Sequence, residues 1–442
     1  MRVKTFPKGV HPPRTFKELT ASSAIRTIEP PAKVVLPLIQ HTGAPLSPLV
    51  KKGDRVKKGQ KIADVEAFVS APLHASVSGV VSAIVDWPHP TRGVFKAIVI
   101  ERDGEEEERG ELLSVERIED LEPDFLRRWI REGGIVGLGG AAFPTHVKVS
   151  PPQGKTIEYL ILNGAECEPY LTCDHRVMLE RPEEILIGLR ILARACGAKA
   201  VFIGIEENKP DCIQLFEEKA KQLTIPTTVV PLATKYPQGS EKHLILAILG
   251  REVPPGGLPL DVGVVVNNVQ TAWALGRMAL EGMPLVERVI TVSGDCIKER
   301  GNFLVPIGTV LEELVEFCGG FTEPPRKVIM GGPMMGIAQV SLAVPVVKGT
   351  SGFLFMKEFR SFREYSCIRC GRCVNHCPMN LVPSQLARLS EFGAFEEAER
   401  FRAMDCIECG VCAYVCPAGI PITHRIKVAK AEIIRRSRKG GK

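Results

Sequence analysis

Two cysteine runs near the C-terminus constrain this chain more than any other feature. Cys367-Ile-Arg-Cys370-Gly-Arg-Cys373-Val-Asn-His-Cys377-Pro378 and Cys406-Ile-Glu-Cys409-Gly-Val-Cys412-Ala-Tyr-Val-Cys416-Pro417 share the pattern C-x2-C-x2-C-x3-C-P. Three thiolates at this spacing can wrap three corners of a [4Fe–4S] cubane, while the fourth, carried away by a longer step and a proline, ligates the neighbouring cluster. The expected ligand sets are therefore crossed: Cys367, Cys370, Cys373 and Cys416 for one cluster, Cys406, Cys409, Cys412 and Cys377 for the other. Zinc needs four ligands per site rather than two runs that exchange their fourth. Disulfides fit poorly in a chain that opens Met1-Arg-Val-Lys-Thr-Phe-Pro-Lys-Gly, without the apolar run of a secretion signal.

At 442 residues, 45% hydrophobic and 24% charged, the chain has the composition of a globular protein with two to four domains. Apolar stretches such as Val340–Val347 fall far short of a membrane span, so no transmembrane segment is expected. Six of the 14 cysteines lie outside the runs (Cys167, Cys173, Cys196, Cys212, Cys296 and Cys318), scattered as reduced thiols are. A net charge of +6 without a basic stripe interleaved with aromatics argues against nucleic acid as a partner.

Residues 1–33 read as an extended arm, because Phe6-Pro-Lys-Gly-Val-His-Pro-Pro13 cannot form regular helix. Residues 34–104 read as a barrel-sandwich module of short strands: Val34–Leu38, Val56–Ile62, Ala71–Leu73, Gly79–Val81 and Ala97–Glu101. Their order resembles a biotinyl or lipoyl carrier. A carrier presents a lysine after its Glu-Ala, whereas Glu66-Ala67 is followed here by Phe68-Val69-Ser70. The module is therefore expected to be unmodified and used for docking. A glutamate run at 105–108 marks a linker, and Pro123–Arg131 reads as a helix with Phe125, Leu126, Trp129 and Ile130 on one face.

Residues 120–284 read as a Rossmann-like α/β domain. Strands at Glu158–Leu162, Ala200–Ile205, Thr227–Pro231 and Val262–Val266 alternate with helices at Arg181–Cys196, Asp211–Lys221, Ser240–Leu249 and Val269–Leu280. Ahead of the first strand lies Gly137-Leu-Gly139-Gly140-Ala-Ala-Phe143-Pro144-Thr145-His-Val-Lys148, a loop whose small residues would let backbone N–H groups approach a phosphate with a lysine as counter-charge. Two polar segments follow strand ends, where such sheets bind ligands: Asn163-Gly-Ala-Glu166-Cys-Glu168-Pro169 and Asn267-Asn268-Val-Gln-Thr271. Each alone reads as a cap or turn; their convergence with the glycine loop reads as a site.

Residues 285–330 suggest a β-grasp module, 331–360 a linker with the strand-like Ala338–Val347, and 361–442 a helical two-[4Fe–4S] ferredoxin-like domain. The tail Arg425–Arg438 is a helix carrying Lys427, Lys430, Arg435, Arg436 and Arg438, cations that suit a helix C-terminus and read first as solvated surface, with a partner or anionic surface as the alternative. The fold class is thus multidomain, α/β and α+β.

Several of these segments, with the Gly239-Ser240-Glu241 turn, resemble the FMN- and NADH-binding flavoprotein component of respiratory complex I. The resemblance implies FMN as cofactor and NAD(H) as substrate, held by Gly137, Gly139, Gly140, Phe143, Lys148, Asn163, Glu166, Glu241, Asn267, Asn268 and Thr271. Leu138, Ala142, Ala165 and Ser240 depart from that family, which has arginine, glycine, aspartate and glutamate there. The whole order of modules, with the arm motif and Asn163–Tyr170, is similar to the RnfC component of the Rnf complex, a membrane-bound ferredoxin:NAD+ oxidoreductase coupled to ion transport. That resemblance implies a peripheral protein at the cytoplasmic membrane face, with partners in the complex that include a ferredoxin-like iron–sulfur protein. No side chain is expected to act as nucleophile or general base, since the cofactors carry the electrons. Two other readings stay open: a soluble reductase such as a cobalamin reductase, and a non-catalytic electron-transfer scaffold whose flavin site has decayed.

Overall fold

The computed structural model describes residues 2–105, 107–113, 115–358 and 363–440, the last three by backbone alone. Glu106 of the acidic run, residues 359–362 and the side chain of Arg438 lie outside the described residues.

The α/β domain is built on four parallel strands in the order Thr227–Leu232, Ala200–Glu206, Tyr159–Gly164, Val264–Asn268. Its central strands, Ala200–Glu206 and Tyr159–Gly164, are mostly apolar because both faces are covered, with Glu206 and Asn163 at their carboxyl ends. Leu160, Leu162 and Val265 face the helices Pro182–Cys196 and Val269–Glu281, while Ile161, Val264 and Val266 face the helix Glu241–Leu249. Each fully buried Leu or Ile stabilises the fold by about 1.5–3 kcal/mol. The chain leaves Tyr159–Gly164 toward one sheet edge and returns to Val264–Asn268 on the other side, so the crossover direction reverses between these two strands. At such a switch point the connections diverge and leave a crevice beyond the strand ends. Asn268 pairs in register with Asn163 there, which sets the two polar segments side by side.

The barrel-sandwich module pairs a four-stranded sheet (Lys33–Pro37, Gly93–Arg102, Gly79–His89, Arg55–Val56) with a three-stranded one (Ser47–Pro48, Lys61–Asp64, Leu73–His74). The segment where a carrier would present lysine is docked on the neighbouring domain instead. The Phe68 carbonyl accepts a hydrogen bond from His146 at 3.0 Å, and the two rings meet edge to face.

Beyond the α/β domain, a six-stranded sheet is wider than the 285–330 span expected for it. Its order is Ile25–Thr27, Gly301–Pro306, Glu287–Gly294, Gly352–Met356, Lys327–Met330, Ile337–Gln339, so it recruits the N-terminal arm at one edge and the expected linker at the other. Of the strand expected over Ala338–Val347 only the start joins this sheet. Further on, Val340 is fully exposed, and Val344 and Val346 turn to hydrogen-bond the Val310 region across Pro345, which has no donor for a ladder.

The C-terminal domain packs the helices Pro383–Glu391, Phe395–Arg400 and Ile422–Gly440 around the two cysteine runs. Among the described residues, no helix is long and apolar enough to cross a membrane.

Candidate functional site

A cavity of about 610 Å³ opens beyond the ends of the adjacent strands Tyr159–Gly164 and Val264–Asn268. Of the residues expected there, Gly137, Gly139, Phe143, Lys148, Asn163, Glu166, Glu241, Asn267 and Asn268 border it; Gly140 and Thr271 do not. Thr271 instead accepts the Leu138 N–H at 3.0 Å and pins the glycine loop from below. The Gly137 N–H is used within the loop, donated to the Phe143 carbonyl at 2.8 Å, so donors to a ligand must come from further round. From the six-stranded sheet, the buried Arg288 donates to the Leu138 carbonyl at 3.2 Å, a support no local pattern announced.

Asn267 is 1% exposed, and neither its Oδ1 nor its Nδ2 has a hydrogen-bond partner. A buried amide left this way is costly unless a ligand satisfies it. Asn268 is fully engaged: its Oδ1 caps the helix Val269–Glu281 through the Gln270 N–H, and its Nδ2 donates to Asp174 at 2.6 Å. Asp174 also accepts from Gln270 Nε2 at 2.9 Å, and burial pushes its carboxyl above the ordinary range. This aspartate lies on the helix Cys173–Glu180, which the sequence patterns did not reveal; its only local signal is an acid in the first turn.

Two expected charges are turned differently from what the resemblance implied. Lys148 is paired with Glu241, Nζ to Oε1 at 2.5 Å, so its charge is held at the cavity wall. Glu166 borders the cavity, yet its carboxylate accepts the Asp174 N–H at 2.7 Å at the start of that helix, with Lys17 of the arm 3.7 Å away. Burial raises its pKa to about 7, against the pull of Lys17.

The cysteines fall into two groups. Cys367, Cys370, Cys373 and Cys416 border one open cavity; Cys377, Cys406, Cys409 and Cys412 border another. Both runs bend alike: the residue before the second cysteine and the glycine after it are left-handed, Arg369 and Gly371 in the first run, Glu408 and Gly410 in the second. Asn380 and Gly419, three residues past each fourth cysteine, are left-handed too. Burial raises the Cys409 and Cys412 thiols to about 12, so a metal's charge is what would hold them as thiolates. Cys367 and Cys370 are exposed.

The two kinds of site share a wall. Cys409 and Ile407 border the cavity of the glycine loop as well as the second cysteine cavity.

Residues 4–105 match the family described as "RnfC Barrel sandwich hybrid domain", 130–277 the "Nuo51 FMN-binding domain", 289–338 the "SLBB domain" and 366–420 the "4Fe-4S dicluster domain". The NAD+-reducing [NiFe]-hydrogenase in its air-oxidized state shares the fold at a TM-score of 0.51 and 20% identity, over 70% of this chain and 61% of that one. The C component of the proton-translocating ferredoxin:NAD(+) oxidoreductase complex of Clostridium ljungdahlii is 48% identical over 90% of this chain and 86% of its own. Its counterpart in the Na(+)-translocating ferredoxin:NAD(+) oxidoreductase complex of Acetobacterium woodii is 45% identical over the full length of both. The corresponding component of the ion-translocating oxidoreductase complex of Rhodobacter capsulatus is 44% identical over 98% of this chain and 84% of its own. With four domains in this order and relatives this similar along nearly its whole length, the chain belongs to the RnfC family, a component of the ion-translocating ferredoxin:NAD(+) oxidoreductase complexes.

Proposed function

We propose that this chain is a peripheral component of a membrane-bound ferredoxin:NAD+ oxidoreductase coupled to ion transport, lying at the cytoplasmic face and exchanging electrons between NAD(H), FMN and two [4Fe–4S] clusters. The observation that carries the reading is the shared wall: a cysteine of the second ligand set borders the cavity of the glycine loop.

Residues around that cavity suit FMN. Asn267 offers an unpaired donor and acceptor, Lys148 a cation, and Gly139 the room for close approach. Bound FMN supplies the conversion between two-electron nicotinamide chemistry and one-electron cluster chemistry. The chain itself binds, orients and excludes water. Asp174 fixes Asn268, Thr271 and Arg288 fix the loop, and no side chain is assigned as general acid or base. Cys406, Cys409, Cys412 and Cys377 are assigned to the cluster beside the cavity. The outer cluster falls to Cys367, Cys370, Cys373 and Cys416, whose exposed members face the surface where a ferredoxin-like iron–sulfur protein of the complex would meet it.

Flavin and iron quantitation followed by anaerobic titration with NADH tests this. The purified protein is expected to hold FMN and both clusters, and NADH to bleach flavin and cluster bands. A protein with full clusters and no FMN, or with FMN that NADH leaves oxidised, fits the scaffold reading and overturns the oxidoreductase one.

A further inference from the structure

Tyr236 stands between the two sites. It is 1% exposed, it borders the glycine-loop cavity, and its hydroxyl donates to the Cys409 carbonyl at 2.8 Å. Val10, Cys409 and Val411 complete the apolar cluster around it. Burial pushes the phenol's pKa up.

The backbone of Tyr236 is held by the arm motif, which nothing in the cavity explains. Val10 and Tyr236 exchange two backbone hydrogen bonds, at 2.9 and 2.8 Å. Gly9 has φ +78°, and a Cβ there would lie 2.6 Å from the Tyr236 carbonyl oxygen, so only glycine lets the arm approach this closely. Gly9 also donates to the His376 carbonyl at 3.2 Å, beside Cys377. The arm thus ties the Tyr236 backbone to the first cysteine run, while the tyrosine hydroxyl reaches the second.

We propose that Tyr236 is a positioning residue that sets the reduction potential of the cluster beside the flavin cavity, through its hydrogen bond to the Cys409 carbonyl. The inference rests on the assignment of Cys377, Cys406, Cys409 and Cys412 to that cluster. Iron–sulfur potentials follow hydrogen bonding, local charge and solvent exposure around the ligands. A reduced cluster carries one more negative charge, and the Tyr236 hydroxyl, with its positive hydrogen aimed at the Cys409 carbonyl, would favour that charge in a buried setting. Without it, the reduced state is less favoured and the potential falls.

Tyr236→Phe keeps the ring and removes only the donor. In the purified holoprotein, an EPR-monitored redox titration is expected to show one cluster shifted to lower potential and the other unmoved. The expected change in the reduced-to-oxidised ratio is about threefold, which at about 59 mV per tenfold for one electron is roughly 28 mV. Gly9→Ala, which removes no ring or thiol and presses on Tyr236 through its backbone carbonyl, is expected to shift the same cluster in the same direction. Unmoved potentials in both variants, with two clusters present, return Tyr236 to core packing and overturn the proposal. If the wild type shows a single cluster signal, the ligand assignment itself fails and this inference falls with it.

Discussion

Lys148 meets the cavity already paired with Glu241, and that pairing sets the sign of two substitutions. Lys148→Ala removes the cation available to a phosphate. Loss of a charge-assisted hydrogen bond costs about 1.5–3 kcal/mol, so FMN affinity should fall roughly tenfold to a hundredfold with both clusters intact. Glu241→Gln releases the lysine from a half-exposed ion pair worth less than about 1 kcal/mol, so FMN should bind about two- to fivefold tighter. Fluorescence titration of the deflavinated protein reads both changes. Glu168 gives a pH dependence. Its carboxylate accepts the N–H groups of Met334 and Met335 at 3.0 and 2.8 Å, yet burial outweighs them and raises its pKa to about 7. A folded-state value above the unfolded one contributes stability that is fully present below the unfolded value, near 4.5, and is lost as pH rises through 7. Between pH 6 and 8 the wild type should lose about 1 kcal/mol that Glu168→Gln does not, read from denaturant midpoints at the two pH values.

Among the elements, the helices Pro182–Cys196 and Val269–Glu281 cross at two glycines and thereby hold the floor of the site. A Cβ on Gly276 would stand 1.9 Å from the Glu184 carbonyl oxygen, and one on Gly188 1.8 Å from that of Ala272. Each collision is with backbone, which cannot rotate away. Gly276→Ala should therefore push the helices apart and destabilise the α/β domain by about 1–3 kcal/mol, measured as a lowered thermal midpoint of its unfolding step. The C-terminal helix Ile422–Gly440 shows cations committed within the chain: Lys430 donates to the Cys406 carbonyl at 2.7 Å and pairs with Glu408 at 2.6 Å, while Arg435 and Arg436 pair with Glu432. These contacts support the solvated-surface reading of the tail and give Lys430 a part beside the second cysteine run.

At the scale of the whole molecule, the proposed crossed cysteine sets would make the two runs depend on each other. Cys416→Ala should empty the outer site, formed with Cys367, Cys370 and Cys373, and spare the one nearest in sequence; iron per chain should fall to roughly half, with one cluster's EPR signal surviving. Loss of the other signal would assign Cys416 to its own run. The sequence by itself determined what is local. Cluster spacing, the glycine loop and the polar ends of apolar strands are written in short patterns, because a thiol triad, a phosphate loop and a strand each depend on neighbours a few residues apart. Only the tertiary structure decided how these parts meet. Tyr236 reaches Cys409 across 173 positions, Arg288 supports Leu138 across 150, and Asp174 orients Asn268 across 94. No periodicity encodes such contacts. They arise when buried polar groups find partners as the domains close, and at that step Glu166 turned to a helix end, Thr271 to the loop, and the arm to Tyr236.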